Sequence, residues 1–525
     1  MTAILLGCFM IAACGPTAEP SSTQPSVVGP DVTSAITTTA PASLPTPTTS
    51  QGANMTVTTV ARSSAPQALE VPEPTAPAPL AWTKCGTVEC AELEVPLDYA
   101  NPNNGELISL LVKRRATKGK RIGPLLVNPG GPGAAGTVMA DRASLFFSPD
   151  LLNRFDIVAW DPRGTGASAP IDCVDDIDVV LGADPSPDSP EETAALATAN
   201  RTFADGCRTR AARQLAFVST EYSARDMDQI RRALDEDTIS YFGFSYGSEL
   251  GATYATLFPN RVRAMVVDGA SDPNADWKDS TREQVVAFES ALNQALAECV
   301  ADKSCPFVHA GDAGAAFDQL MRDLDATPIA VAKDRPAVGQ GVAYYAVISS
   351  LYGRSEWKSL YAALGKAQKR DASGLLALYD DYTFRNDADQ RNLFDSLIVI
   401  NCLDSVPVEP AAALAFAREL AVLAPHLGSL DQGGEQLCAH LPRSGRPVVH
   451  VGARGAGPIL VVATTGDTAT PFESSRKMAK ALEQGHLLTV EAERHTGYGV
   501  NQCSLKTVDA YLIDLTLPSE GTVCR

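Results

Sequence analysis

The pentapeptide Gly243-Phe244-Ser245-Tyr246-Gly247 constrains this chain more than any other stretch, because it puts a serine on a turn that few backbones can make. The residues before it, Thr238-Ile239-Ser240-Tyr241-Phe242, are β-branched and aromatic and read as a strand. Residues 248–258 have helical spacing, with Leu250, Tyr254 and Leu257 on one side. A serine between such a strand and such a helix sits in a strained conformation. Small residues two before and two after it are needed because neighbouring backbone comes close. The turn exposes the hydroxyl beside a helix N-terminus. The pentapeptide alone is common; the strand–turn–helix context makes Ser245 a candidate nucleophile.

A serine hydroxyl is a poor nucleophile until a base takes its proton. The chain has only six histidines. Ile459-Leu460-Val461-Val462-Ala463 reads as a buried strand, followed by the turn Thr464-Thr465-Gly466-Asp467-Thr468-Ala469-Thr470-Pro471. Leu487-Leu488-Thr489-Val490 reads as the last strand, and His495 lies in the loop after it. Asp467 and His495 therefore fall just past strand C-termini, at the sheet edge where Ser245 is exposed. There His495 accepts the Ser245 proton and returns it to the leaving group, while Asp467 holds the imidazole tautomer and stabilises its cation. A loop histidine or a turn aspartate alone means little; all three in the order Ser, Asp, His point to one site.

Residues 93–97, 106–112, 124–128, 155–160 and 262–267 read as further strands, and Ser223 as the cap of a helix holding Met227, Ile230 and Leu234. Strands alternating with helices predict an α/β fold, a mostly parallel sheet with helices on both faces. From Asp272 to about Val451 strand signals thin out, and helical patterns dominate at 281–300, 315–324 and 411–423. That predicts a large, mainly helical cap inserted between sheet strands. Residues 171–217 form a smaller excursion that joins it. The expected division is a hydrolase core at 80–271, the cap at 272–451 and the rest of the core at 452–525.

The tetrahedral intermediate of acyl transfer needs hydrogen-bond donors. The Tyr246 N–H, at the helix start, is one. The glycine turn Asn128-Pro129-Gly130-Gly131-Pro132-Gly133 supplies Gly130 or Gly131 as the second. Part of the same turn, Gly131-Pro132-Gly133-Ala134-Ala135-Gly136, satisfies G-x-G-x-x-G, with Asp161 at the end of the next strand, as in a dinucleotide site. Pro129 and Pro132 remove donors that a pyrophosphate needs, and two strands precede a motif that usually opens its fold. The nucleotide reading explains fewer residues than the hydrolase reading, so no cofactor is expected. Neither C-x-x-C nor H-E-x-x-H occurs, so no metal is expected either.

A formal net charge of −19 argues against nucleic acid as a partner. Residues 3–13 are almost wholly apolar but too short to span a bilayer, and they end in Ile11-Ala12-Ala13-Cys14. This is similar to a bacterial lipobox, with residues 1–14 as a lipoprotein-type signal and Cys14 lipidated, although no Lys or Arg precedes the apolar run. An ordinary secretory peptide cleaved nearby is the alternative. Either sends the chain across a membrane, and a lipid anchor at Cys14 is its only expected membrane contact. Residues 15–79, rich in Pro, Thr, Ser and Ala, read as a disordered tether. Of twelve cysteines, ten lie beyond the leader, which suits an oxidising compartment. Neighbour pairing is the expectation, Cys85–Cys90, Cys173–Cys207, Cys299–Cys305, Cys402–Cys438 and Cys503–Cys524, though sequence does not fix connectivity.

With Asn128 to Gly133, Asp161-Pro162-Arg163-Gly164-Thr165-Gly166, Gly243 to Gly247, Gly466 to Pro471, Arg494-His495-Thr496-Gly497 and Glu520 to Cys524, the chain resembles the α/β-hydrolase family, in its tripeptidyl-aminopeptidase-like and proline-iminopeptidase-related branch. The resemblance covers nearly everything from Trp82 to Cys524. It implies an exported peptidase that removes short peptides from free N-termini, with esterases as relatives, and a TAP-like C-terminal region starting near residue 437. An aminopeptidase needs a carboxylate for the substrate amine; Asp404, in a stretch resembling an acidic spot of family caps, and Glu249 are the candidates. Asp161 and Arg163 read as structural. The expected partner is a peptide or ester substrate, and the oligomeric state is open. A carboxylesterase or lipase with the same three residues, and a non-catalytic surface binding protein on this fold, are the alternatives.

Overall fold

The computed structural model describes residues 72–525 apart from 309, 407, 431–433 and 445–447. The expected leader, Cys14 and most of the Pro/Thr/Ser/Ala-rich stretch lie outside the described residues. Among the described residues ten strands are formed: β1 Thr83–Cys85, β2 Val88–Pro96, β3 Leu107–Arg115, β4 Gly123–Asn128, β5 Phe155–Trp160, β6 Ile239–Phe244, β7 Val262–Asp268, β8 Ile459–Thr464, β9 Gly485–Val490 and β10 Val523–Cys524. They build one sheet in the order β1-β2-β3-β5-β4-β6-β7-β8-β9-β10. The pairs β1/β2, β2/β3 and β3/β5 are antiparallel, and every pair from β5 to β10 is parallel.

Every residue of β4, β5, β6 and β8 is buried, which explains why these segments read as continuous apolar runs. Side chains still alternate. Leu126, Tyr241 and Val267 pack on one face under the helices Thr220–Ala233 and Tyr246–Leu257. Leu125, Phe242 and Val266 pack on the other face, toward Gln502–Asp514. After β4 the chain returns to β5 on one side of it and then crosses to β6 on the other. Such a reversal opens a crevice at the strand C-termini, where ligands bind in open α/β sheets.

Between β7 and β8 the regular elements among the described residues are helices, including Trp277–Ala301, Ala313–Ala326, Gln340–Ser350, Trp357–Ala367, Leu393–Asp404 and Pro410–Leu423. Phe288, Phe317, Leu360 and Tyr379 belong to a separate apolar cluster there. Asn274 at the start of this insertion exchanges hydrogen bonds with the Val451 backbone at its end, both 3.1 Å. The 171–217 excursion packs against it: Asp395 accepts the Cys173 N–H at 2.8 Å, and Arg335 reaches Asp178 at 3.0 Å. The ten cysteines join as the five neighbour pairs, with Cα–Cα separations from 4.1 to 5.8 Å.

Two local expectations are corrected. Ser223 is not a cap; it is buried inside the helix Thr220–Ala233. Asp404, far along the chain, accepts the Thr220 N–H at 3.0 Å and so satisfies the helix start one turn earlier than local sequence suggests. The fixed part of the chain also begins before residue 80. The Thr75 N–H donates to Asn103 at 2.9 Å, and Arg232 donates to the Pro74 carbonyl at 3.1 Å.

Candidate active site

β6 ends at Phe244, and the helix Tyr246–Leu257 starts one residue later. Ser245 spans the gap with φ 53° and ψ −126°, a conformation that costs a non-glycine residue about 1–3 kcal/mol. The two flanking glycines make it possible. A Cβ on Gly243 would lie 2.2 Å from the Gly247 carbonyl oxygen, and one on Gly247 would lie 2.9 Å from that of Asn128. The Ser245 N–H donates to the Asp268 carbonyl at the end of β7, 2.8 Å away, which locks the turn to the next strand.

Asp467 and His495 follow the ends of β8 and β9 and are both buried. The imidazole Nδ1 lies 2.9 Å from each Asp467 carboxylate oxygen. A carboxylate accepts only, so Nδ1 carries the proton and Nε2 presents its lone pair. Thr470 N–H at 2.8 Å, Thr470 Oγ1 at 3.1 Å and Thr496 N–H at 3.2 Å also donate to Asp467 and fix its plane. His495 Nε2 is buried and has no hydrogen-bond partner among the described residues. Ser245 does not bond to it in this state. Both groups nevertheless meet the end of β7: the Ser245 N–H is held by Asp268, and a Cβ on the adjacent Gly269 would lie 3.0 Å from His495 Cε1. Nucleophile–base contacts often tighten only when substrate binds.

Sequence patterns missed three residues here. Thr470 lies within the 464–471 turn but reads as an ordinary turn residue. Asp268 ends an apolar strand, and a charge at that position was its only signal. Its carboxylate accepts the Gly497 N–H at 2.7 Å and the Tyr498 N–H at 2.8 Å, so it anchors the loop just past His495. Burial pushes its pKa up to about 6 against those two hydrogen bonds. Tyr352, from the helical insertion, stands with its ring edge-on to the imidazole, centroids 5.6 Å apart; nothing in the sequence marks it.

The glycine turn after β4 lies against the nucleophile. A Cβ on Gly130 would come 2.9 Å from Ser245 Cβ and 3.1 Å from the Tyr246 nitrogen. Gly130 is nevertheless not the second oxyanion donor, because its N–H is already donated to Asn128 Oδ1 at 2.9 Å. Gly131, the other candidate donor, follows it in the same turn. Gly130 has φ 101°, and an added methyl would also sit 2.6 Å from the Phe244 carbonyl oxygen. Gly130→Ala is therefore expected to lower kcat at least about 100-fold by pushing this turn off the site, as losing an oxyanion donor does. Steady-state kinetics beside a thermal melt checks this; wild-type turnover would exclude the close packing.

Asp161 and Arg163 have structural partners. Arg163, fully buried, grips Asp226 with two nitrogens at 2.7 Å and also donates to the Pro96, Leu97 and Phe217 carbonyls. Asp161 accepts the Thr137 and Ala167 N–H groups, both at 3.0 Å.

Asp404 and Glu249 come together in one recess with Thr220, Leu403 and Val449. Asp404 is partly committed, accepting from Thr220 N–H and, at 2.6 Å, Thr220 Oγ1. Glu249 forms no hydrogen bond or ion pair among the described residues. Each residue keeps some surface, but desolvation of the carboxyl groups pushes both up to about 7, with the Glu249 charge adding to the shift at Asp404. No Lys or Arg among the described residues lines this recess.

The family described as TAP-like protein matches residues 427–524. The serine protease Hip1 of Mycobacterium tuberculosis is 34% identical over 481 residues, covering 86% of this chain and 92% of that one. Carboxylesterase B of the same organism is 35% identical over 455 residues, covering 83% and 86%. A tripeptidyl aminopeptidase of Streptomyces lividans is 31% identical over 463 residues, covering 84% of each chain. An elbow serine, a carboxylate-bound imidazole at the same sheet edge and relatives matched along most of their length converge: this chain belongs to the TAP-like branch of the α/β-hydrolase family and is a serine hydrolase.

Proposed function

We propose that the chain is an exported aminopeptidase that releases short peptides from free N-termini through an acyl-enzyme. Ser245 Oγ attacks the scissile carbonyl carbon as its proton passes to His495 Nε2. Asp467 steadies the imidazolium, and the Tyr246 and Gly131 N–H groups take the oxyanion. His495 then protonates the departing amine. A water repeats the sequence in reverse and frees the peptide.

The observation that carries the amine preference is the pair of desolvated carboxyls, Glu249 and Asp404, lining one recess. Glu249 stands four residues along the helix from Ser245, about 6 Å by the helical rise. Extended peptide advances ~3.3–3.6 Å per residue, so this rise spans about two residues of a short N-terminal peptide, and the carboxyl side chain adds to that reach. Export is supported by the apolar leader and by five cystines, which persist in oxidising compartments; lipidation of Cys14 belongs to the same reading.

A panel of tripeptide anilides with free or acetylated amines, beside simple esters, tests this proposal. Cleavage of the free-amine set and refusal of the acetylated set is expected. Turnover of esters alone would favour the second reading, which the similarity to a carboxylesterase supports.

The raised carboxyls also set a pH signature. Protonated, they cannot pair with an ammonium; they ionise as pH rises through about 7. A peptide α-amine loses its proton near 8. The ratio of kcat/KM for a free-amine anilide to that for a neutral ester is therefore expected to rise through pH 7 and fall above about 8. Taking the ratio removes the dependence on His495 that both substrates share. In the free protein the sign for stability is opposite. These acids hold protons when folded that they release when unfolded, so stability declines between about pH 4 and 7. A flat ratio would remove both carboxyls from amine recognition.

A further inference from the structure

Between the helices Gln340–Ser350 and Trp357–Ala367 the chain turns through Leu351-Tyr352-Gly353-Arg354. Every residue of this turn touches one of the two loops that carry Asp467 and His495. The Leu351 carbonyl accepts from Thr468 Oγ1 at 3.0 Å. The Tyr352 carbonyl accepts the N–H of His495 itself at 2.8 Å. Gly353 forms an antiparallel bridge with Arg494, and the Arg354 N–H donates to the Glu493 carbonyl at 3.2 Å. The Tyr352 ring meets the imidazole at 80° and packs against Phe288 on another side, at 5.7 Å.

We propose that Tyr352 and its turn are a positioning device for His495, which makes the helical insertion part of the proton-transfer machinery as well as a cover. The inference rests on the roles given above to Ser245, Asp467 and His495. The loop it acts on is strained: Thr496, the next residue, has φ 64°, a conformation that persists only when surroundings enforce it. From the sheet side, Asp268 and Asp467 take the N–H groups of residues 496–498. The N–H of His495 is held from the cap side alone. Nε2 has no hydrogen-bond partner among the described residues; Asp467 holds Nδ1, with Thr470 Oγ1 3.3 Å from the same atom, and the Tyr352 ring packs edge-on to the imidazole. Misplacing a reacting group by about 1 Å costs on the order of 100-fold in rate.

Tyr352→Ala, Tyr352→Leu and Tyr352→Phe, assayed on p-nitrophenyl acetate and on a free-amine tripeptide anilide, test the inference. The acetyl group is too small to use a cap side chain as a binding wall. Expected are a fall in kcat of about 10- to 100-fold on both substrates for Ala and Leu, KM on the acetate within about twofold, and recovery in Phe, which keeps the ring. Leu keeps the volume should Ala fail to fold. Wild-type kcat on the acetate in Leu or Ala, with the loss confined to the anilide KM, would make Tyr352 a substrate wall and overturn the inference. So would a Phe variant as impaired as Leu. Fluorophosphonate labelling of wild-type Ser245 reports on the underlying reading separately: absent labelling defeats that reading, whereas labelling with an unimpaired Leu variant defeats this inference alone.

Discussion

Ser245→Ala, His495→Ala and the double variant are expected to lose the same activity, about 10⁶-fold in kcat, rather than losses that add. The reason lies in how the two side chains share one step. Without Nε2 the Ser245 proton loses its proposed acceptor, a buried nitrogen with no hydrogen-bond partner among the described residues. Without Oγ there is nothing for the imidazole to activate. The oxyanion donors remain in every variant, so each keeps the same residual rate over water, about 10³–10⁴-fold. Ser245→Ala also relieves nothing in the backbone, because its φ of 53° is imposed by the Asp268 hydrogen bond and the flanking glycines. Single-turnover rates on an activated ester, with protein concentration set by absorbance, give the comparison. A double variant another thousandfold slower than either single would mean that the two residues act in separate steps.

Asp467→Asn is expected to lower kcat by about 10⁴-fold while leaving KM for the same substrate nearly unchanged. Its carboxylate oxygens accept from four donors: His495 Nδ1, Thr470 N–H, Thr470 Oγ1 and Thr496 N–H. An amide has one acceptor oxygen. Whichever way it turns, its NH₂ faces a backbone N–H or the imidazole. If it faces Nδ1, the proton moves to Nε2 and the base is in the wrong tautomer. If it faces Thr470 or Thr496, the loop opens. Comparing kcat and KM with the melting temperature separates the two. A variant with kcat within tenfold of wild type would show that Asp467 is a turn residue and that the imidazole takes its orientation elsewhere.

Much of this was legible in the chain. β4, β6 and β8 read correctly because parallel strands buried on both faces are continuous apolar runs, and the glycines around Ser245 signal close backbone approach. Asp467 and His495 stand out by their place after strands, which local pattern conveys well, and the fold brings their side chains together. What local pattern could not carry is contact across the chain. Ser223 looked like a helix cap because the true cap, Asp404, arrives from far downstream. Gly130 and Gly131 were indistinguishable until the Asn128 side chain claimed the Gly130 N–H. Asp404 and Glu249 lie on different elements far apart in the chain, and only folding brings both to one recess. Tyr352 reaches His495 from a helical insertion with no periodic or motif signal at all.

Reaction of the full chain with a fluorophosphonate, with the adduct mapped by mass spectrometry in wild type and in His495→Ala, tests whether Ser245 is the nucleophile and His495 its base. One adduct per chain is expected, on Ser245; its formation tracks the loss of hydrolysis, and the His495→Ala protein fails to form it. An adduct on another serine, or hydrolysis that survives full modification of Ser245, would contradict those roles.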